Sequence, residues 1–294
     1  MHRLAEEAVA LVLLDENGRF KARLEGATAG NVLLRRAQHN QSLNPAFALD
    51  IARACVAGKV RNSRQVLLRG ARDAKAESDA AGLTRGAQDL AATLRALPDA
   101  KDLDMLRGLE GEAARQYYFG RQPLLVKADL RAEFSMDGRT RRPPRDRMNA
   151  LLSFLYAMWM NDCRSALEAV GLDPQVGFLH VLRPGRAALA LDLMEEFRPF
   201  ADRLALSLVN RGQICADDFL VREGGGVSLT ADARKAVVVA FQERKQEEVQ
   251  HPVMAQSLAL GLVPLVQARL MARAVRCEAD VNGQVTGYLP FLVR

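Results

Sequence analysis

The pattern of hydrophobic and polar positions changes once, close to the start of the chain. Residues 8–14 and 19–25 are two runs rich in apolar residues, and they flank the polar stretch D-E-N-G. The pair Asn17-Gly18 in that stretch is typical of a type I′ turn. The opening of the chain is therefore predicted to be a β-hairpin.

From Gly30 onward, apolar residues recur every three or four positions, most clearly over 46–58, 61–70 and 86–97. This period is typical of helices that bury one face, so the rest of the chain is predicted to be helical. Over 252–276 the pattern is again helical but contains Gly261 and Pro264. These two residues predict a kink, or a break into two helices.

One helix can be placed more closely, because Asp146 follows a pair of prolines and can cap a helix that ends before Gly171. Its buried face is predicted to carry five large apolar side chains: Leu151, Leu152, Leu155, Met158 and Trp159. The acidic pair Asp217-Asp218, in contrast, is interpreted as a cap or turn and not as part of a site.

Composition narrows the function only a little. The 41 Lys and Arg residues exceed the 35 Asp and Glu residues, giving a net charge of +6 and a pI near 9.4. This charge is compatible with a polyanionic partner such as DNA, but many soluble proteins without such a partner carry as much.

The cysteines and the apolar runs exclude several classes of protein. The four cysteines, Cys55, Cys163, Cys215 and Cys277, form no C-x-x-C pair and are expected to be reduced. The first apolar run is too short for a secretion signal, and no run approaches eighteen apolar residues. We expect a cytoplasmic protein with no membrane span.

Candidate chemistry is concentrated in G-F-L-H at 177–180 and L-A-L-D-L-M-E-E-F-R-P-F at 189–200. On a helix, Asp192 and Glu195 share a face, whereas Glu196 and Arg198 point elsewhere. Together with His180 they suggest half of a metal site. The best third ligand is Glu110, where nearby glycines indicate a helix boundary.

Each of these residues also has an ordinary interpretation. Glu110 could be an acid favoured by the dipole at a helix start, and His180 could be a hydrogen-bonded polar histidine. Asp192 and Glu195 could belong to a solvated helix face. Only their combination points to a metal.

Four segments occur in a fixed order: E-G-x-A-A-R-x-Y, R-R-P-P-x-D-x-x-N-A-L-L-S-F-L-Y, G-F-L-H-x-x-R-P-G-R and L-x-L-D-L-M-E-E-F-R-P. Their order and spacing resemble the CRISPR spacer-integration enzyme, and within that family most closely its type I-C branch. The likeness covers nearly the whole chain. It implies a metal-dependent DNA integrase and endonuclease that inserts fragments of foreign DNA into a CRISPR array.

The resemblance also implies a domain organisation. Family members begin with a β-sandwich domain that builds the homodimer and leads into a helical catalytic lobe. Here residues 1–27 are interpreted as the remnant hairpin of that domain, and residues 28–294 as the α-helical catalytic domain, so the fold is predicted to be mainly α. A chain with so little of the sandwich should behave poorly alone, and a clean, stable dimer in size-exclusion chromatography would contradict this.

The resemblance further assigns residues. Glu110, His180 and Glu195 match the family's metal-binding triad, with Glu at the third position where other members have Asp, and Asp192 is an auxiliary or outer ligand. Carboxylates with one imidazole suit Mg²⁺ or Mn²⁺. DNA contacts are expected from two arginines in R-P-G-R and from two polar residues on the capped helix: Arg183, Arg186, Tyr156 and Asn149.

The implied reaction is attack by the 3′-hydroxyl of a captured fragment on a phosphodiester at the array's repeat boundary. The expected partners are double-stranded and branched DNA, a second copy of the chain, and a small ferredoxin-like protein. One alternative is a truncated, non-catalytic DNA-binding relic of the family. Another is a metal-dependent phosphohydrolase of small substrates, which is weakened because the chain has no adjacent His-Asp dyad and no phosphate-binding glycine-rich loop.

Overall fold

The computed structural model describes residues 3–4, 11–15, 20–24, 31–136, 138–140, 142–279, 284 and 287–293. Strands β1 (Leu11–Leu14) and β2 (Phe20–Leu24) pair antiparallel, with Leu11 opposite Leu24. This pairing confirms the predicted hairpin. The Asn17-Gly18 turn lies outside the described residues.

Most of the remaining described residues are helical, as predicted. The helices up to the first long loop are α1 (Val32–Ser42), α2 (Pro45–Asp73), α3 (Glu77–Ala96), α4 (Leu103–Gly120) and α5 (Ala128–Glu133). The next are α6 (Arg147–Val170), α7 (Ala188–Met194) and α8 (Arg198–Asn210), followed by the hairpin of β3 (Phe219–Val221) and β4 (Val227–Leu229). The last elements are α9 (Ala231–Gln246), β5 (Glu248–His251), β6 (Gln256–Ala259) and α10 (Val263–Val275).

Helix α6 has the ends and the buried face that its sequence predicts. The carboxylate of Asp146 accepts a hydrogen bond from the Asn149 N–H at 2.7 Å, which caps the helix start. Gly171 ends the helix in the left-handed conformation, at φ +94°. Trp159 is buried and stacks on Phe197 with ring centroids 5.0 Å apart.

The predicted helical region 252–276 is wrong in its first part. Residues 248–259 form a two-stranded hairpin in which Glu248 lies opposite Ala259, and α10 begins only at Val263. Pro252 explains this, because proline disfavours helical geometry in the residue before it and has no N–H to donate. Pro264 lies in the first turn of α10, where proline is well tolerated, so it starts the helix and does not kink it.

Helix α2 is buried on two sides and joins two hydrophobic clusters. Ile51 and Cys55 belong to the larger cluster, which is built around α6. Val56 and Val60 belong to a smaller cluster with α3 and α4. A polar side chain that projects from α2 between these two sides therefore lies where the two hydrophobic clusters meet.

Three sequence expectations concern the cysteines, membrane-spanning helices and the Asp217-Asp218 pair. All four cysteines are free, with Cys55 and Cys163 buried and Cys215 and Cys277 exposed. Within the described residues, no helix combines the length and apolar character needed to cross a membrane. Asp217 and Asp218 form a short 3₁₀ turn in which Asp218 accepts a hydrogen bond from the N–H of Cys215, in agreement with their interpretation as a cap or turn.

Candidate active site

The ring of His180 is held by Asp192. The Asp192 carboxylate is fully buried and accepts hydrogen bonds from the backbone N–H groups of Phe178, Leu179 and His180, at 2.6 to 3.0 Å. It also lies 2.7 Å from Nδ1 of the His180 ring. A carboxylate at this distance places the ring proton on Nδ1 and leaves Nε2 as a free acceptor or metal ligand.

This arrangement depends on the glycine of G-F-L-H. A Cβ atom on Gly177 would lie 2.7 Å from Asp192 Oδ2 and 2.7 Å from the backbone carbon of Ala188. These distances are shorter than any normal contact. Gly177 thus allows the loop that carries His180 to approach the first turn of α7.

Glu195 lies on the other side of the imidazole, in the 3₁₀ turn Glu195–Phe197 between α7 and α8. Its Oε1 atom is 3.9 Å from His180 Nε2 and accepts a hydrogen bond from Arg198 Nε at 2.8 Å. Asp192 and Glu195 therefore face the same ring, as their spacing predicts. The expectation that Arg198 points elsewhere is wrong, because the 3₁₀ turn brings its guanidinium back to Glu195.

Glu110 lies in the middle of α4, so the predicted helix boundary at this residue is wrong. Gly108 and Gly111 are both inside the helix, which packs against α2 and α3. Glu110 accepts a hydrogen bond from the ammonium group of Lys59, which projects from α2. The same ammonium lies 2.7 Å from Glu195 Oε2. Lys59 therefore links the two carboxylates that were predicted to bind a metal.

Lys59 is the site residue that the sequence analysis missed. The signal was present, because Lys59 is the one charged residue in the apolar stretch A-C-V-A-G-K-V at 54–60. Arg107 was missed as well. Its guanidinium donates two hydrogen bonds to the carbonyl oxygen of Leu179, at 3.0 and 2.7 Å, and so supports the His180 loop from α4.

The charges of the site shift the pKa values of its groups. Burial alone would raise the pKa of Glu195, but the neighbouring cations Arg198 and Lys59 outweigh it, and the pKa lies well below its ordinary value. Burial would lower the pKa of Lys59, yet Glu195 and Glu110 raise it. Glu195 is thus an anion and Lys59 a cation at neutral pH.

The donor set suits a divalent cation once Lys59 moves. Within the described residues, no three side chains of His, Cys, Asp or Glu surround one point as in a preformed metal centre. The Lys59 ammonium occupies the space between the two carboxylates. Glu195 Oε2 is buried and faces the Lys59 ammonium at 2.7 Å, so departure of that ammonium would free this oxygen to coordinate a cation. Two carboxylates and one imidazole nitrogen fit Mg²⁺ or Mn²⁺.

Tyr156 is buried beside this site. Its hydroxyl donates a hydrogen bond to Asp202 Oδ1 at 2.6 Å and accepts one from the Tyr118 hydroxyl at 2.8 Å. The guanidinium carbon of Arg198 lies 4.8 Å from the centre of its ring. Tyr156 therefore supports Arg198, the residue that holds Glu195.

The other predicted DNA contacts differ in their surroundings. Arg183 is exposed, and its guanidinium forms no hydrogen bond or ion pair within the described residues. Arg186 is half-buried, and its guanidinium donates to the Val181 carbonyl at 3.4 Å. Asn149 is fully buried. Its amide donates to Asp146 and the Gly138 carbonyl and accepts from Arg139, so Asn149 holds these three residues at the start of α6.

Comparison with known proteins establishes the family to which this chain belongs. The family description "CRISPR associated protein Cas1" matches residues 1–243. The chain is 54% identical to CRISPR-associated endonuclease Cas1 1 of Moorella thermoacetica over 293 residues, which cover 99% of this chain and 83% of that protein. The chain belongs to the Cas1 family. The family predicted from the four ordered motifs is confirmed.

Solved structures of the Cas1 fold agree with the predicted, mainly helical architecture. A casposase bound to its integration product superposes with a TM-score of 0.81 at 24% identity, covering 95% of this chain and 75% of that one. A Cas6-RT-Cas1–Cas2 complex gives a TM-score of 0.77 at 27% identity, covering 98% of this chain and 30% of that one. The predicted fold class is confirmed.

Proposed function

We propose that this chain is a metal-dependent DNA endonuclease and integrase that inserts new spacers into a CRISPR array. The observation that carries this proposal is the convergence of Glu110, His180 and Glu195. Glu110 and Glu195 both pair with the ammonium of Lys59, and His180 Nε2 lies 3.9 Å from Glu195 Oε1. Relatives named as Cas1 endonucleases, at 54% and 51% identity, support the same activity.

The residues that would hold the metal are Glu110, Glu195 and Nε2 of His180. When bound, a divalent cation lowers the pKa of a coordinated hydroxyl and polarises the phosphoryl oxygen. Asp192 is fully used by the His180 loop, so its role is to orient the imidazole. Arg198 keeps the Glu195 carboxylate in place through Oε1.

The reaction is a phosphoryl transfer. The 3′-hydroxyl oxygen of the incoming strand forms a bond to phosphorus, and the bond to the 3′-oxygen of the array strand breaks, which releases a new 3′-hydroxyl. The protein contributes positioning and charge stabilisation. Arg183 is exposed three residues after His180, and its guanidinium can bind a backbone phosphate close to the reacting one.

The proposed assembly includes double-stranded and branched DNA, a second copy of the chain and a small ferredoxin-like partner. A Cas6-RT-Cas1 protein of similar fold occurs in a complex with Cas2, which supports a partner of this kind. The proposed division into a hairpin at 1–27 and a helical catalytic domain at 28–294 belongs to the same proposal.

The test is strand transfer and branched-DNA cleavage by the purified chain, with Mn²⁺ or Mg²⁺ and with EDTA as a control. Glu195→Gln should lower the metal-dependent rate at least about 100-fold, because the buried carboxylate is a ligand. Glu112→Gln is the matched control, since Glu112 is also on α4 but pairs with Arg115 and Gln116 and not with Lys59. Full activity of Glu195→Gln would refute the site.

One rival function makes a different prediction in the same assay. If the chain were a non-catalytic DNA-binding relic, branched DNA would bind with ordinary affinity but no metal would produce turnover. Equal and negligible rates for the parent chain and Glu195→Gln, with DNA binding intact, would favour that rival.

A further inference from the structure

A cavity of about 390 Å³ lies between α2 and α8, apart from the carboxylates of the candidate site. Its apolar floor includes Val66 and Phe200, and three arginines line it: Arg69, Arg72 and Arg203. A cavity of this size falls within the range of small-ligand pockets and can accept a nucleotide-sized group.

The positive charge of this cavity is not balanced by the protein. Within the described residues, the guanidinium groups of Arg69, Arg72 and Arg203 form no hydrogen bond or ion pair with another side chain or with a backbone carbonyl. Arg203 is half-buried, and its pKa is lowered by burial and by the nearby Arg244 and Arg69. Glu247 acts in the opposite direction but is paired with Arg244.

The cavity adjoins the candidate site. Asn62, which lines it, donates a hydrogen bond to the carbonyl oxygen of Glu196, the residue after Glu195. Arg69 follows Lys59 by ten positions on α2, which corresponds to about 15 Å along the helix. This distance equals about four nucleotides of a stacked strand at 3.4 Å each.

We propose that this cavity binds a backbone phosphate of the DNA strand that reacts at Glu110, His180 and Glu195, about four nucleotides from the reacting bond. The inference rests on the proposed function. Guanidinium groups grip phosphate oxygens in pairs, and an apolar floor beneath them accepts the face of a sugar or base. The closeness of the cavity to Glu195 favours DNA over an acidic protein segment.

The experiment uses two variants, Arg203→Gln and the double variant Arg69→Gln with Arg72→Gln. Arg95→Gln on α3 is the matched control, because Arg95 is exposed and does not line the cavity. Affinity is measured without metal for branched DNA whose single-stranded arm has about two or about ten nucleotides, lengths on either side of the four-nucleotide estimate.

We expect each cavity variant to bind the DNA with the longer arm about tenfold more weakly, because each variant loses a charge-assisted contact. The slope of log affinity against log salt should fall by about one. The parent, the cavity variants and Arg95→Gln should bind the shorter arm equally well. Arg203→Lys should restore part of the affinity. If Arg203→Gln does not fold, the double variant still tests the inference, because Arg69 and Arg72 are exposed and their substitution should not disturb the fold.

Three outcomes would overturn the inference: unchanged affinity for the longer arm, equal weakening for both arms, or the same effect in Arg95→Gln. If the cavity variants bound poly-glutamate more weakly but DNA with unchanged affinity, the cavity would be assigned to an acidic protein. The proposed function is judged separately, because its test is metal-dependent turnover. Arginine variants that lose DNA affinity in a chain without turnover would refute the function and leave the cavity assignment standing.

Discussion

At the scale of single residues, the distinctive feature of the candidate site is that the charge between its carboxylates is supplied by a lysine side chain. Lys59 places its ammonium between Glu110 and Glu195, where a metal ion would neutralise the same two carboxylates. Both carboxylates would otherwise repel each other in a partly buried site. Lys59 therefore stabilises the pair of carboxylates, and the metal proposed for this site would have to displace it.

Lys59→Met tests this competition. Removal of the ammonium should raise the affinity for Mn²⁺ at least about tenfold, because no cation then has to leave. The free energy of unfolding without metal should fall, and Mn²⁺ should restore it. Isothermal titration calorimetry and thermal unfolding with and without Mn²⁺ check both effects, with the exposed Lys101→Met as the control. An unchanged Mn²⁺ affinity would show that Lys59 does not compete.

At the scale of elements, the contact between the 177–180 loop and α7 determines where His180 lies. Gly177 permits it, and Asp192 binds three successive backbone N–H groups of the loop. The loop and helix therefore form one unit, and the histidine moves if either part moves.

Gly177→Ala should break this unit. The added Cβ would contact the Asp192 carboxylate, so we expect a loss of stability of about 1–3 kcal/mol, typical of an overpacked core. Strand transfer should fall with it, since His180 loses its partner. Thermal unfolding and the transfer assay measure these effects. Gly108→Ala is the control, because a Cβ there meets nothing within 4 Å and should stabilise α4 by up to about 1 kcal/mol. Equal behaviour of both variants would contradict the prediction.

The sequence predicts elements best where the signal is local. The Asp146 cap and the Gly171 end of α6 depend on neighbouring residues, and both are confirmed. The interior position of Glu110 was missed because Gly108 and Gly111 mimic a boundary, while burial of residues such as Leu106 and Tyr117 keeps α4 continuous.

The candidate site was predicted only in part, for a related reason. The order of the motifs identifies the acids and the histidine. No local pattern identifies the partner of Lys59, because Glu110 is 51 residues away and the contact exists only after α2 and α4 pack.

At the scale of the whole molecule, a buried polar cluster joins distant parts of the chain beneath the site. Glu196 accepts hydrogen bonds from the Tyr288 hydroxyl, the Gln267 amide and the Phe291 N–H. Burial raises the pKa of Glu196 to about 8, despite the lowering effect of these bonds. The segment 287–293 is thereby attached to the turn that carries Glu195.

This shift predicts how stability depends on pH. The folded protein keeps a proton on Glu196 that the unfolded chain releases above its ordinary pKa of 4.5, so the contribution is complete below that value and is lost as the pH rises through about 8. The melting temperature should therefore fall between about pH 4.5 and about pH 8, the interval between the two pKa values. Glu196→Gln should melt lower at the acidic end but change less with pH, whereas the exposed Glu243→Gln should follow the parent. A parallel pH profile for Glu196→Gln would contradict the assignment.

The contact of segment 287–293 with the rest of the protein also affects when α2 can complete its packing during synthesis. Asn62 on α2 donates to the Phe291 carbonyl and accepts from the Val293 N–H, across 229 and 231 residues. During synthesis, these hydrogen bonds to α2 can form only after nearly the whole chain has been made. A ribosome that stops before residue 287 therefore releases a chain in which Asn62 lacks both of these hydrogen bonds.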